Sequence, residues 1–152
     1  MKPVVTIRKG LPTEPGATRL LQASHALMES LFPAESNHYL PIEALLSDRI
    51  LFRIAEVDNQ IAGCAALALK DGYGEVKSMF VDPGHRGHKI GQLLLAELET
   101  QAKAHELSLL FLETGNLLHA AHKLYENVGF NRRGPFGDYP EDPNSVFMEK
   151  RI

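Results

Sequence analysis

Stretches with two different hydrophobic periods follow one another along the chain, and together they predict an α/β protein. Runs of alternating or consecutive apolar and β-branched residues are typical of strands. Seven such runs predict strands at 4–9, 50–57, 61–69, 75–81, 107–114, 130–134 and 145–152. Apolar residues that recur every three or four positions are typical of amphipathic helices. This spacing, with Pro41 and Gly129 as start and stop signals, predicts helices at 18–31, 41–48, 88–105 and 119–129.

The order of these elements indicates a sheet with helices on its faces. A strand and two helices come first, followed by three strands, a helix, a strand, a helix and two final strands. The short polar link 58–60 ("DNQ") between the second and third strands predicts a hairpin. At 152 residues the chain is predicted to form one domain, spanning 1–152.

Composition and charge narrow the functional classes. Apolar residues make up 44% of the chain and charged residues 23%, as in ordinary globular proteins. The formal net charge of -3 argues against nucleic acid as the main partner, because phosphate binding requires a basic surface. The single cysteine, Cys64, cannot form a disulfide within the chain and suits a reducing compartment. The apolar runs are too short for a signal peptide or a membrane span, so we expect a cytoplasmic protein without a membrane partner.

The stretch 81–95, "VDPGHRGHKIGQLLL", places glycine and positive charge at the start of a predicted helix. The first turn of a helix has backbone N–H groups without partners and a partial positive charge, so it attracts anions. Glycines let a ligand approach the backbone closely. The alternative is an ordinary strand-to-helix turn with solvated charges. The stretch matches neither a dinucleotide fingerprint nor a P-loop.

Two motifs resemble those of the GNAT acetyltransferase superfamily. "RGHKIG" is similar to its pyrophosphate loop, R-G-x-G-x-G/A, and "AAHKLYENVGF" is similar to its A-x-x-L-Y-x-x-x-G-F segment. One helix and one strand separate the two motifs, as in that family. "PAESNHYL", "AGCAAL", "GEVKSMFV", "LETG" and "PFGDYPEDPNSVFMEK" resemble a branch of small bacterial members with poorly defined substrates. The resemblance implies the acyl-CoA N-acyltransferase fold, a mixed sheet of about seven strands with helices on both faces.

The resemblance also implies acetyl-CoA as cosubstrate, with no metal. In the family the cofactor lies like an added strand between the fourth and fifth strands, and the loop binds its pyrophosphate. The residues that would contact it here are Met79, Phe80, Val81, Arg86, Gly87, His88, Lys89, Ile90, Gly91, Gln92 and Leu118. The sequence departs from the family pattern at Lys89, where a glycine is usual, and at Leu118, where many members have asparagine.

Acetyl transfer to an amine needs a base and an acid. An aliphatic ammonium has a pKa of about 10.4, so a base must remove its proton at neutral pH. The resemblance suggests Glu75 as that base, acting through a water, and Tyr125 as the acid that protonates the leaving thiolate. The alternatives are a solvated carboxylate at a strand start for Glu75 and a packing role for Tyr125.

The acceptor side is implied to lie between two irregular segments, "FPAESNHYLP" and "PFGDYPEDPNS". Polar groups on irregular segments of a rigid scaffold often bind ligands. Glu35, Ser36, His38 and Tyr139 are therefore predicted to orient a small polar amine, for which an amino acid is one candidate, with His38 near its carboxylate. The alternative is that Glu35 and Ser36 cap a helix and that Tyr139 is a turn aromatic.

Alternative interpretations concern the catalytic route, metal binding and the function. Direct attack in a ternary complex is the expected route, and Cys64 is expected to be a small core residue and not an acetylated nucleophile. The pairs His85 with His88 and His119 with His122 have ligand-like spacing, but a third zinc ligand is not evident. A protein lysine or N-terminal acetyltransferase and a non-catalytic acyl-CoA sensor are the alternative functions. A homodimer is also left open.

Overall fold

The computed structural model describes residues 4–152. In this part of the chain a single seven-stranded sheet has the order β1-β2-β3-β4-β5-β7-β6. The strands are β1 Val5–Lys9, β2 Ile50–Val57, β3 Gln60–Lys70, β4 Tyr73–Val81, β5 Leu109–Gly115, β6 Asn131–Arg133 and β7 Ser145–Arg151. The α-helices are α1 Pro15–Leu31, α2 Ile90–Ala104 and α3 His119–Asn127. The predicted α/β class with a mixed sheet is confirmed.

The sheet is antiparallel except at its centre. Strands β1 to β4 pair antiparallel in chain order. Strand β5 is parallel to β4, and β7 pairs antiparallel with both β5 and β6. The predicted hairpin joins β2 and β3 through Asp58 and Asn59, whose φ values are 51° and 64°. Positive φ at both central residues is the geometry that a tight two-residue hairpin turn requires.

Alternate residues of the strands pack against helices on opposite faces of the sheet. In β3, Ala65 and Leu67 belong to the core under α2 and α3, while Cys64 and Ala66 belong to the core under α1. This alternation follows from the two-residue period of a strand. Because both faces of β3 are covered, its sequence is apolar almost throughout, as is typical of a central strand.

Several element boundaries differ from the prediction, and three of them are helix starts. Helix α1 begins at Pro15, since the first turn of a helix tolerates proline. The predicted helix at 41–48 is a short 3-10 helix, Ile42–Leu46. Helix α2 begins at Ile90 and not at 88, because Gly87 has a φ of 90° and Lys89 a φ of 59°, and neither is compatible with a right-handed helix.

Strands β4 and β5 separate soon after they meet. Their parallel pairing covers only Gly74–Val76 against Leu110–Leu112. Two residues later Ser78 has a φ of 54°, and the register of β4 against β3 shifts at this point. Such a bulge bends and twists a strand. A cleft therefore opens between the carboxyl ends of β4 and β5.

Within residues 4–152, no helix has the length and apolar character needed to cross a membrane.

Candidate active site

The cleft between β4 and β5 connects two large cavities through a small one. The first, here called the groove, has a volume of about 730 Å³ and lies between the end of β4, the start of α2 and α3. The second, the outer pocket, has about 700 Å³ and lies under residues 38–40 and 137–140. The third, the junction, has about 130 Å³. It shares Met79 and Tyr125 with the groove and His38 and Lys77 with the outer pocket.

The groove ends at the turn that leads into α2. The Asp82 side chain accepts a hydrogen bond from the Gly84 N–H, with 3.2 Å between the two atoms, and lies 3.3 Å from His85 Nδ1. A side chain at Gly87 would meet nothing within 4 Å, so the space above the turn is open. Lys89 occupies the N-cap position of α2 without a capping side-chain hydrogen bond. The first N–H groups of α2 therefore face an open, basic turn.

Ten of the eleven predicted cofactor residues line this groove. They are Met79, Phe80, Val81, Arg86, Gly87, Lys89, Ile90, Gly91, Gln92 and Leu118. His88 is exposed and does not line it. Ser24 and Met28 of α1 and His85 also line the groove. Sequence reasoning missed them because nothing in the pattern shows which face of α1 overhangs the cleft.

Tyr125 lies where the groove meets the junction. Its side chain is buried, and its ring packs edge-on against Phe130. Burial, followed by the nearby Glu113 carboxyl, raises the pKa of Tyr125 to about 12. Tyr125 is therefore protonated at neutral pH, as a proton donor must be.

Glu75 is buried, in contrast to the alternative interpretation of a solvated carboxylate at a strand start. It lines the outer pocket. The Tyr139 hydroxyl donates a hydrogen bond to Glu75 Oε2 over 2.6 Å, and Lys77 Nζ lies 3.5 Å from the same oxygen.

Lys77 links the two irregular segments that were predicted to form the acceptor side. Its ammonium donates to the Tyr139 hydroxyl over 2.8 Å and to the His38 carbonyl over 3.0 Å. The lysine lies two residues after Glu75, so both side chains point to the same face of β4. Burial and the adjacent Glu75 carboxylate raise the pKa of Tyr139 well above its usual range.

His38 and Tyr139 lie together, although 100 residues separate them in the chain. Their rings meet edge to face, with centroids 5.3 Å apart. No described residue provides a hydrogen-bond partner for the buried His38 Nε2. A buried polar atom without a partner is costly unless a ligand or a water satisfies it. His38 as a residue lines both the junction and the outer pocket.

Ser36 and Glu35 have different surroundings. The Ser36 hydroxyl is buried, donates to Asp142 Oδ2 over 2.6 Å and accepts from Asn144 Nδ2 over 3.2 Å. Ser36 therefore fastens residues 32–41 to residues 135–145, and it also lines the junction. Glu35 is exposed and lines none of the three cavities.

Glu113 is a site residue that sequence reasoning did not single out. It is half-buried on β5, lines the junction and accepts a hydrogen bond from Ser145 Oγ over 2.8 Å. Burial raises the pKa of its carboxyl above the usual value. The sequence feature that could have identified Glu113 is its carboxylate within the apolar run "LLFLETG", at a position that shares a strand face with Phe111.

Cys64 and His122 are both buried. Burial raises the pKa of the Cys64 thiol to about 12, and its sulfur lies 3.4 Å from the Ser78 carbonyl oxygen. His122 Nε2 lies 2.8 Å from the Gly115 carbonyl oxygen, within hydrogen-bond distance. From residue 4 onward, no group of three or more His, Cys, Asp or Glu side chains is arranged to hold a metal ion.

The sequence profile of the acetyltransferase (GNAT) family matches residues 18–130, from α1 to the end of the α3 segment. The chain belongs to the GNAT family. The matched region contains the groove, the junction and both predicted catalytic residues. Members of this family use acetyl-CoA.

Relatives of this GNAT chain support the same assignment. An IAA acetyltransferase of Azospirillum brasilense is 43% identical over 152 residues, covering 99% of each chain. A Klebsiella pneumoniae crystal structure, provisionally named acyl-CoA N-acyltransferase, is 35% identical with a TM-score of 0.82, covering 97% of each chain. The PaiA N-acetyltransferase of Thermoplasma acidophilum, crystallised with coenzyme A, has a TM-score of 0.75 at 19% identity, covering 98% of this chain and 99% of that one. The chain is thus an N-acetyltransferase of the GNAT type.

Proposed function

We propose that this GNAT enzyme transfers an acetyl group from acetyl-CoA to the primary amine of a small polar molecule, by direct attack in a ternary complex. The observation that carries the proposal is that the junction shares lining residues with both the groove and the outer pocket. Two substrates can enter from opposite sides and meet at the junction, between Tyr125 and Lys77. The deep burial of Cys64 and the raised pKa of its thiol argue against an acetyl-cysteine intermediate.

The groove suits the cofactor in shape and charge. Arg86, Gly87 and Lys89 with the first turn of α2 would hold the pyrophosphate, because unpaired N–H groups and basic side chains favour anions. Met79 to Val81 lie beyond the last β4–β5 pair, where an extended ligand can add to the strand edge. Acetyl-CoA would supply an acetyl group activated as a thioester.

Tyr125 is proposed as the acid. Its hydroxyl lies beside the junction, and its raised pKa keeps the proton in place until a stronger base forms nearby. A thiolate leaving group would be such a base. The packing of the ring against Phe130 fixes its orientation.

The outer pocket is proposed to bind the acceptor through Lys77, His38, Tyr139 and Glu75. The Lys77 ammonium suits an acceptor carboxylate, whereas Glu75 favours an ammonium. This mixture of charges fits a zwitterion such as an amino acid better than a purely cationic amine. We propose Glu75, which lines the same pocket, as the base that accepts the ammonium proton through an intervening water.

The test is thiol release from acetyl-CoA with a panel of amino acids, amino-acid amides, polyamines and lysine-containing peptides. We expect the free amino acids to give the highest kcat/KM and the amides, which lack the carboxylate, to lose about tenfold or more. His38→Ala should raise the acceptor KM and leave the acetyl-CoA KM unchanged. His105→Ala, at the exposed end of α2, is the matched control and should change neither.

Two results would contradict the proposal. Firm coenzyme A binding without thiol release for any amine would indicate a sensor. Activity confined to peptides would indicate a protein acetyltransferase.

A further inference from the structure

One side of α1 forms a wall that runs from the groove into the junction. Ser24, Met28 and Phe32 follow one another at intervals of four residues, a spacing that places side chains on the same side of a helix. All three residues line the junction, but only Ser24 and Met28 also line the groove. Phe32, the residue at which α1 ends, is therefore the last member of this wall and belongs to the junction alone.

The Phe32 ring spans the space between α1 and β5. A Cβ at Gly115, the last residue of β5, would overlap Phe32 Cζ and would lie 2.5 Å from Phe32 Cε2. Carbon atoms in contact are normally about 3.5–4.0 Å apart, so the ring occupies the space that a side chain at position 115 would need. Gly115 does not have a positive φ. The glycine is thus required here for the space that it leaves to the ring.

The position of the ring is fixed by the surrounding chain. Phe32 is only 7% exposed. Its N–H donates to the Met28 carbonyl over 2.9 Å, and its own carbonyl accepts from Asn37 Nδ2 over 3.4 Å. The end of α1 and the segment that follows it therefore hold the backbone on both sides, while the β5 backbone lies against the tip of the ring.

The junction that this ring borders is small. Its volume is about 130 Å³, whereas an apolar cavity of about 150 Å³ takes one benzene molecule. The proposed reaction requires this space for both the acyl group and the attacking amine. Tyr125, the proposed acid, lies where the groove meets the junction. A thioester whose sulfur receives the Tyr125 proton would therefore direct its acyl carbons into the junction.

We propose that Phe32, held against Gly115, determines the size of the acyl group and excludes groups longer than propionyl. The inference rests on the proposed transfer from a CoA thioester. A longer acyl chain would have to displace the ring, and the β5 backbone prevents the ring from moving away from the junction. A smaller side chain at position 32 would extend the junction toward β5.

The kinetic test measures thiol release from acetyl-, propionyl-, butyryl- and hexanoyl-CoA at a saturating acceptor concentration. Wild type should prefer acetyl-CoA to butyryl-CoA by about 100-fold in kcat/KM, since each methylene that a pocket cannot hold costs about tenfold or more. Phe32→Ala, and Phe32→Leu as the variant that keeps more of the packing, should reduce this preference to about tenfold or less through a gain with butyryl-CoA. Leu31→Ala, the matched control, removes an exposed neighbour that lines none of the three cavities and should leave the preference unchanged.

Gly115→Ala tests the same contact from the strand side. The added methyl would push the ring into the junction, so kcat with acetyl-CoA should fall by about tenfold or more. In a Phe32→Ala background the methyl has no ring to displace, and this loss should disappear. Losses that simply add in the double variant would show that the two residues are not coupled and would overturn the inference.

A second readout is independent of catalysis. Calorimetry without an acceptor should show that wild type binds butyryl-CoA about tenfold more weakly than acetyl-CoA, and that Phe32→Ala removes most of this difference. Coenzyme A, which has no acyl group, should bind wild type and Phe32→Ala equally well. A weaker affinity of the variant for coenzyme A itself would assign Phe32 to the groove and overturn the inference.

The outcomes separate the inference from the proposed function. An inactive wild type refutes the proposed function, and the calorimetric comparison then decides on Phe32. An active wild type that uses butyryl-CoA as well as acetyl-CoA overturns the inference alone, as do Phe32 variants with an unchanged acyl preference. Variants that accept larger amines without accepting longer acyl groups would assign Phe32 to the acceptor instead.

Discussion

At the scale of single residues, the site separates groups with similar chemistry by their surroundings. Tyr125 and Tyr139 are both phenols with raised pKa values, but Tyr139 donates to Glu75 whereas Tyr125 faces the junction. Likewise, the Glu75 carboxyl is bound by Tyr139 and Lys77, whereas Glu113 lines the junction. The residue types could be predicted from the sequence, and Glu75 and Tyr125 were predicted from family motifs. Which carboxyl is bound by partners could not be predicted, because those partners are distant in the chain.

Replacing Tyr125 with phenylalanine should separate its chemical role from packing. We expect kcat to fall by about 100-fold while the acetyl-CoA KM stays within about twofold, because the ring and its contact with Phe130 remain. Steady-state kinetics with both substrates varied checks this. A larger effect on the acetyl-CoA KM than on kcat would indicate that the tyrosine only packs.

The same variant makes a prediction about stability at high pH. The pKa of Tyr125 is raised in the folded state to about 12, so unfolding releases its proton above about pH 10. Stability is then lost as pH rises, by about 1 kcal/mol per pH unit between these values. Urea unfolding at pH 9, 10 and 11 should show a steeper decline for wild type than for Tyr125→Phe. Parallel declines would contradict the raised pKa.

At the scale of elements, the turn from β4 into α2 combines backbone geometry with charge. The sequence pattern predicted helix α2 but placed its start at residue 88, two residues before the observed start at Ile90. Lys89 holds a left-handed conformation that usually belongs to glycine, and only the structure reveals this. At Gly91 a Cβ would lie 2.7 Å from Leu124 Cδ2, so this glycine also serves the packing of α2 on α3. A bulky residue at Gly91 would therefore disturb both the fold and the ligand site.

Substitutions at Lys89 test the turn more cleanly. Lys89→Gly should increase the free energy of unfolding by about 1 kcal/mol, because glycine adopts positive φ without strain. It should also weaken coenzyme A binding several-fold by removing one charge near the phosphates. Lys89→Met, the matched control, removes the charge and keeps the strain, so it should lose affinity without gaining stability. Thermal unfolding and calorimetry measure the two effects; unchanged affinity in both variants would remove Lys89 from the cofactor site.

At the scale of the whole molecule, two sheet halves are joined by only a short parallel pairing. Strands β1 to β4 form one half and β5 to β7 the other, and Gly74–Val76 with Leu110–Leu112 connect them. The strand order was expected from the family resemblance. The early end of this pairing could not be predicted from hydrophobic periods, because it coincides with the positive φ of Ser78, a backbone feature that the pattern does not encode.

A ligand that occupies the cleft should stabilise the whole domain. Coenzyme A at about 100 times its Kd should add about 2.7 kcal/mol to the free energy of unfolding by mass action. For a domain of this size that corresponds to a rise in Tm of about 5–10 °C. Thermal scans over a concentration series of coenzyme A check this, with adenosine as a control that lacks the pantetheine arm. An unchanged Tm would show that the cleft does not bind coenzyme A.

The Ser36 link between residues 32–41 and 135–145 also bears on how such enzymes diverge. These two segments line the outer pocket, while the turn into α2 lies elsewhere on the scaffold. Because loops tolerate sequence change better than the strands beneath them, substitutions there can alter the acceptor without disturbing the acetyl donor. The two segments must change together, however. Ser36 of the first segment binds Asp142 of the second, and Lys77 of β4 binds both the His38 carbonyl of the first and Tyr139 of the second. New acceptor specificities should thus arise through paired, compensating substitutions in segments that lie about a hundred residues apart in the chain.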